Sequence, residues 1–137
     1  MYCAVEAHNK KTGNWDCFGI SQADRNYAMF SKIADVRNSE KEASYIEPID
    51  DPRGWPADIS DVAKTWKQDH DHYHSDTWLD RAELESLEKW LNEKQENSLW
   101  EMLGFRHIKY LFNTKNNWRK AAFTRYDNLR VLFFFTD

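Results

Sequence analysis

Seven residues near the C-terminus constrain the fold more than any others. In Leu129-Arg130-Val131-Leu132-Phe133-Phe134-Phe135, the odd positions are all apolar, and two of the three even ones are apolar as well. Alternate side chains of a strand point to opposite faces, so this segment reads as a strand over 128–136 that is covered on both sides, which places it inside a sheet. The apolar run Val131–Phe135 is far short of the roughly 20 residues needed to cross a bilayer. A covered strand needs neighbours, and the simplest are at the other end of the chain. Tyr2 to His8 reads as one strand and Trp15 to Ile20 as its return. The turn residues Asn9-Lys10-Lys11-Thr12-Gly13-Asn14 between them make a hairpin.

Between these termini the pattern changes to a helical period. Tyr27, Phe30, Ile33 and Ala34 fall on one face of a helix capped by Ser21 or Asp24 and ending near Val36-Arg37-Asn38. Residues 38–57 are irregular, and Asp51-Pro52-Arg53-Gly54 has the composition of a β-turn. Asp58 or Ser60 can cap a short helix through Lys67. A polar loop, Asp69 to Asp76, follows. Asp80 then caps the strongest helix, with Leu84, Leu87, Trp90 and Leu91 on one side. Residues 98–113 read as a further helical segment broken near Gly104. The expectation is one α+β domain over 1–137: a small antiparallel sheet formed by the N-terminal hairpin and the C-terminal strand, packed by three or four helices.

Composition narrows the function classes. With 41% hydrophobic and 31% charged residues the chain is neither disordered nor a membrane protein, and with 4 Gly and 3 Pro it holds no linker and no Gly-rich phosphate loop. The start of the chain lacks a basic and then apolar leader, so no secretory signal is expected. Cys3 and Cys17, on paired strands, read as near neighbours with reduced, buried thiols. The net charge of −4 is unevenly spread: residues 105–130 hold seven Lys/Arg against Asp127 alone. Such asymmetry suits a surface that meets an anion, or two regions that face each other in the fold or across a homo-oligomer.

Several strings resemble a group of small, uncharacterised phage and prophage proteins. They are Ile20-Ser21-Gln22-x-x-Arg25-Asn26-Tyr27-x-x-Phe30, Ala34-x-Val36-Arg37-Asn38, Glu47-Pro48-Ile49, Pro52-Arg53-Gly54-x-Pro56-x-Asp58 and His74-Ser75-x-Thr77-Trp78-Leu79, followed by the final strand. The likeness covers residues 1–84 and the last ten. It implies a phage accessory protein working in the cytoplasm of a bacterial host, and supplies no catalytic residues. In that group's pattern the loop reads His-Ser-His-Ser-Trp; here the second His is Asp76, which weakens a metal site built on the loop.

Three constellations bear on chemistry. His70, His72 and His74 alternate, so in an extended chain they project to one side, as divalent-metal ligands do; the competing reading is a solvated connector. In the C-terminal third, Arg106, His107, Lys109, Tyr110, Lys115, Trp118, Arg119, Lys120, Phe123, Arg125 and Tyr126 interleave cations with rings, suited to phosphates and bases, although a pI near 5.7 argues against duplex nucleic acid. Arg25, Arg37 and Arg53 each sit at a helix end or turn, where a guanidinium joins backbone N–H groups in binding an anion, or else fixes a loop by bonding its carbonyls. No GxSxG elbow is present.

The leading expectation is a non-enzymatic protein that counters bacterial defence by sequestering a small nucleotide immune signal. Its ligand-binding residues would be Arg25, Arg37, Arg53, His72, His74, Trp78, Arg119 and Lys120, with no cofactor, no metal and no membrane partner. Two alternatives stand beside it: a direct inhibitor of a host defence protein, and a small metal-dependent phosphodiesterase using His70, His72 and His74.

Overall fold

The computed structural model describes residues 1–38, 45–94, 98–105 and 125–136. Its sheet has four antiparallel strands: β1 (Tyr2–Asn9), β2 (Trp15–Gln22), β3 (His74–Asp80) and β4 (Tyr126–Phe135), in the order β2-β1-β4-β3. The N-terminal hairpin and the C-terminal strand therefore meet at the centre, with Ala4 opposite Leu132 and Val5 opposite Val131. The helices are α1 (Tyr27–Ala34), α2 (Asp61–Asp69), α3 (Arg81–Glu93) and the single turn α4 (Leu99–Met102). No helix of the described residues is long and apolar enough to cross a membrane.

The two apolar faces of β4 enter two different clusters. Leu129, Val131, Phe133 and Phe135 join Cys3, Val5 and Ala7 of β1 against Phe30 and Ile33 of α1, Leu84, Leu87 and Leu91 of α3, and Trp100 of α4. Leu132 and Phe134 join Ala4 on the opposite face, beneath Ala63 and Trp66 of α2 and the rings of Trp55, Tyr73 and Trp78. Every side chain of the larger cluster's aliphatic centre is fully buried, each worth about 1.5–3 kcal/mol in transfer from water. Gly104 closes α4 with φ 85°, and a β-carbon there would overlap the Ser21 side chain of β2.

Several boundaries differ from the sequence reading for local reasons. Asn26, rather than Ser21 or Asp24, caps α1 by accepting from the Met29 N–H, because β2 runs on through Gln22. The helix stops at Ala34, where Asp35 turns left-handed and sends its N–H back to Ser31. Tyr27, read as part of the buried face, is 43% exposed. Ser60 caps α2, which leaves Asp58 to pair with Arg130. Asp80 forms a capping box with Glu83 at the start of α3.

The polar loop 69–76 is cut short by a strand the sequence reading did not contain. His74 to Asp80 forms β3 on the sheet edge, irregular between His74 and Thr77, where Ser75 has φ 53°. The two cysteines lie on opposite faces of the sheet, Cys3 across from Ser21 and Cys17 across from Glu6, so they are not side-chain neighbours; both are free thiols, and burial pushes both up.

Candidate functional site

The chain leaving β2 and the chain leaving α1 converge beside the start of β1. Ala23 donates to the Met1 carbonyl at 2.9 Å and Asp24 to the Met102 carbonyl at 2.8 Å, which fixes the segment carrying Arg25. After α1, the Ser31 hydroxyl bonds the Val36 carbonyl at 3.2 Å, and the Asn38 amide bonds Asp35 at 2.9 Å and the Ile46 carbonyl at 2.5 Å. Arg37 sits between these two anchors with φ 54°. Its neighbours on both sides are pinned, so its own backbone is held in the left-handed region that a long side chain ordinarily avoids.

This arrangement brings Arg25 and Arg37 to one concavity of about 190 Å³, shared with Met1, Gln22, Ala23, Tyr27, Phe30 and Thr136. Both arginines are exposed. The Arg37 guanidinium lies 5.0 Å from the centre of the Tyr27 ring. Neither arginine has a hydrogen bond or ion pair with another described residue. Burial first, and to a lesser degree the charge of Arg25, hold the Met1 ammonium below its ordinary value.

Arg37 also lines a second concavity, of about 430 Å³, with Asp35, Val36, Pro52, His74 and Ser75. The His74 Nδ1 and the Ser75 Oγ are 2.8 Å apart. A further wall is held by the 51–54 segment, where the Gly54 N–H donates to the Asp76 carbonyl at 2.7 Å rather than closing the expected β-turn, and the Arg53 N–H donates to Thr77 Oγ1 at 3.2 Å. A further concavity, of about 520 Å³, lies between β2 and the start of α2, and its Asp16, Asp58 and Asp61 would repel a phosphate.

The other residues singled out in the sequence do not join this group. Arg53 binds Asp50 through Nε at 3.0 Å, and the Trp78 carbonyl and Glu83 through Nη1 at 2.9 and 2.7 Å; Nη2 also bonds Glu83. Its plane lies 5.1 Å from the Trp78 ring. All three guanidinium nitrogens are thus engaged in tying this segment to the start of α3, the loop-fixing role. Arg53 in turn holds the Glu83 and Asp50 carboxyls below their usual range. Trp78 packs half-buried under it on the second core face. His72 stands 4.5 Å from Tyr73, ring to ring, while His70 caps α2, stacks on Trp66 at 4.1 Å and bonds the Trp66 carbonyl. His70 and His72 lie 6.4 Å apart, ring to ring, but His74, on the strand, bonds Ser75, so the three imidazoles do not form one ligand set. Among the described residues no three His, Cys, Asp or Glu side chains gather to hold a metal. Asp76 instead accepts from Trp55 Nε1 at 2.6 Å and pairs with Lys67 at 3.5 Å.

Arg119, Lys120 and most of the basic–aromatic third lie outside the described residues. Arg130, counted with that third, is 4% exposed and bonds Glu6 and Asp58, each at 2.7 Å, so this one member of the basic third meets acidic residues from the front of the chain. Ser75 and Tyr27 are among the lining residues that the sequence reading passed over as site residues. Compared with protein-family profiles, curated proteins and solved structures, the chain finds no match.

Proposed function

We propose that this protein binds a small nucleotide without chemical conversion, and that the phosphate-recognising part of its site is the Arg25–Arg37 concavity. The observation that carries the reading is the convergence of two arginines twelve residues apart, both without a polar partner among the described residues, beside an exposed tyrosine ring. A guanidinium offers a fixed fork of donors to phosphate oxygens, and an exposed ring offers a stacking surface to a base. Most arginines with a structural task show it in their contacts, as Arg53 and Arg130 do here. Arg25 and Arg37 do not. The resemblance to phage proteins supplies the setting: sequestration of a nucleotide signal that a bacterial host raises against infection. Tight binding and abundance suffice for such a role, and bond cleavage is not required.

Incubation with a panel of cyclic and linear nucleotides, followed by separation of protein from free ligand, tests the reading. Intact nucleotide retained on the protein is expected. Arg25→Ala and Arg37→Ala should each weaken it tenfold or more, since a charge-assisted contact is worth about 1.5–3 kcal/mol. Degraded nucleotide would move the protein to the phosphodiesterase class. No binding at micromolar concentration would overturn the reading and favour inhibition of a host protein.

A further inference from the structure

The nucleotide reading leaves the second concavity without a task, and its construction is specific. Three non-glycine residues in the described chain have positive φ, namely Asp35, Arg37 and Ser75, and all three line this concavity. Asp35 is explained by its place as the C-cap of α1. Arg37 and Ser75 cap no helix. Residues held in the left-handed region persist where the surroundings over-determine them, and such residues cluster at ligand clamps. Here the surroundings are visible: the Asn38 bonds on one wall, the Gly54–Asp76 and Arg53–Thr77 bonds on the other. The walls they fix present a guanidinium, an imidazole and a hydroxyl, beside a single carboxylate, Asp35, which accepts from the Asn38 amide at 2.9 Å.

Arg37 belongs to both concavities. A guanidinium has five N–H donors, more than a single phosphate needs, so one Arg37 can serve an acceptor on each side. The smaller hollow, at about 190 Å³, offers room for a phosphate and little more; the larger, at about 430 Å³, falls within the range of small-molecule sites. We infer that the two concavities are one bipartite site, built for a nucleotide that carries two separated phosphate groups, a dinucleotide rather than a mononucleotide. Arg25 and Arg37 grip the first phosphate beside Tyr27. Arg37, His74 and Ser75 meet the second, with the Ser75 hydroxyl donating to it and the imidazole orienting that hydroxyl. This inference rests on the nucleotide reading above.

The test is calorimetric titration of the full chain with cyclic di-AMP, cyclic di-GMP and cyclic GMP–AMP, each set against AMP and GMP. At least one dinucleotide should bind tenfold or more tightly than either mononucleotide. Arg25→Ala on one side, and a paired His74→Gln and Ser75→Gly change on the other, should each weaken that dinucleotide tenfold or more and erase its advantage. Arg37→Lys, which keeps the charge and loses the fork, should do the same. Glycine suits the backbone at 75, and a melting curve for each variant separates lost binding from lost folding. Equal affinity for dinucleotide and mononucleotide overturns the inference. So does a dinucleotide that responds to Arg25→Ala and ignores the His74/Ser75 pair; in both cases the nucleotide reading survives. If nothing in the panel binds, both fall.

Discussion

Replacing Arg130 by leucine tests whether the buried ion network or the apolar strand around it holds the centre of the sheet. Arg130 bonds Glu6 Oε1 at 2.7 Å, Asp58 Oδ1 at 2.7 Å and the Asp58 carbonyl at 3.2 Å, and lies 3.9 Å from the Trp15 ring centre. The two carboxylates are not equivalent. The Asp58 side chain is 65% exposed, so its half of the network is screened and worth little. Burial opposes its charge, yet the Arg130 hydrogen bond and charge prevail and hold its carboxyl below the usual range. Glu6 has no exposure at all, and its other oxygen accepts the Ser60 N–H at 2.8 Å at the start of α2. Arg130→Leu leaves that carboxylate buried and unpaired, at a cost of about 3–5 kcal/mol, a large share of the roughly 5–15 kcal/mol that holds an ordinary domain together. Glu6→Gln keeps an acceptor for Ser60 and removes the charge. The double variant Glu6→Gln/Arg130→Leu should therefore recover about 2 kcal/mol over Arg130→Leu alone. Urea unfolding followed by far-ultraviolet circular dichroism reads all four species, with an unchanged denaturant slope as the check on two-state behaviour. A loss below about 1 kcal/mol for Arg130→Leu, or a double variant no more stable than the single, would refute the reasoning.

Phe133→Ala, at a site with no exposure on the central strand, should cost about 3–5 kcal/mol in the same assay; a melting temperature within a few degrees of the parent would contradict the core assignment. Ser75→Gly should keep or raise stability, by up to about 1 kcal/mol, because glycine takes φ 53° without strain, whereas Ser75→Ala should give no such gain. Arg53 holds the Glu83 carboxyl below its ordinary 4.5, so the bond contributes stability above that pH and loses it as pH falls through the lowered folded value. Unfolding curves between about pH 6 and pH 3 should accordingly decline below about pH 4.5, and Glu83→Gln should flatten that decline.

The segments legible in the sequence were those whose period survives in one dimension. The run 129–135 announced a strand with two buried faces, and turn residues between two short strand-like runs marked the hairpin beside it, whose Cys3, Val5 and Ala7 share one core face. Asp80 and the leucines after it marked α3. The strand β3 escaped because its first three residues, His74-Ser75-Asp76, are polar and contain the irregularity; only Thr77, Trp78 and Leu79 carry an alternation, too short to stand out from a loop. The site was half legible. Arg25, Arg37 and His74 could each be picked out by type and position, but their grouping depends on where β2, α1 and β3 end relative to one another, which no spacing states. Arg53 looked the same as Arg25 in the sequence. What separates them is Glu83, thirty residues away, which occupies one and has no counterpart at the other.

The order β2-β1-β4-β3 has a consequence for how the chain comes to be folded. The β1–β4 ladder joins residues far apart in the chain, such as Cys3 and Phe133. The hairpin β1–β2 emerges from the ribosome first, and a two-stranded ribbon is marginal in water by itself. At roughly 5–20 residues per second it waits several seconds for its central partner, with one edge of β1 unsatisfied throughout. Loop closure over that span slows folding further, and the exposed edge is open to other nascent copies. Synthesis of this protein should therefore lean on chaperones, and a chain without β4 would be not a slightly smaller molecule but an unfinished one, with β1 and β3 deprived of the strand that joins them.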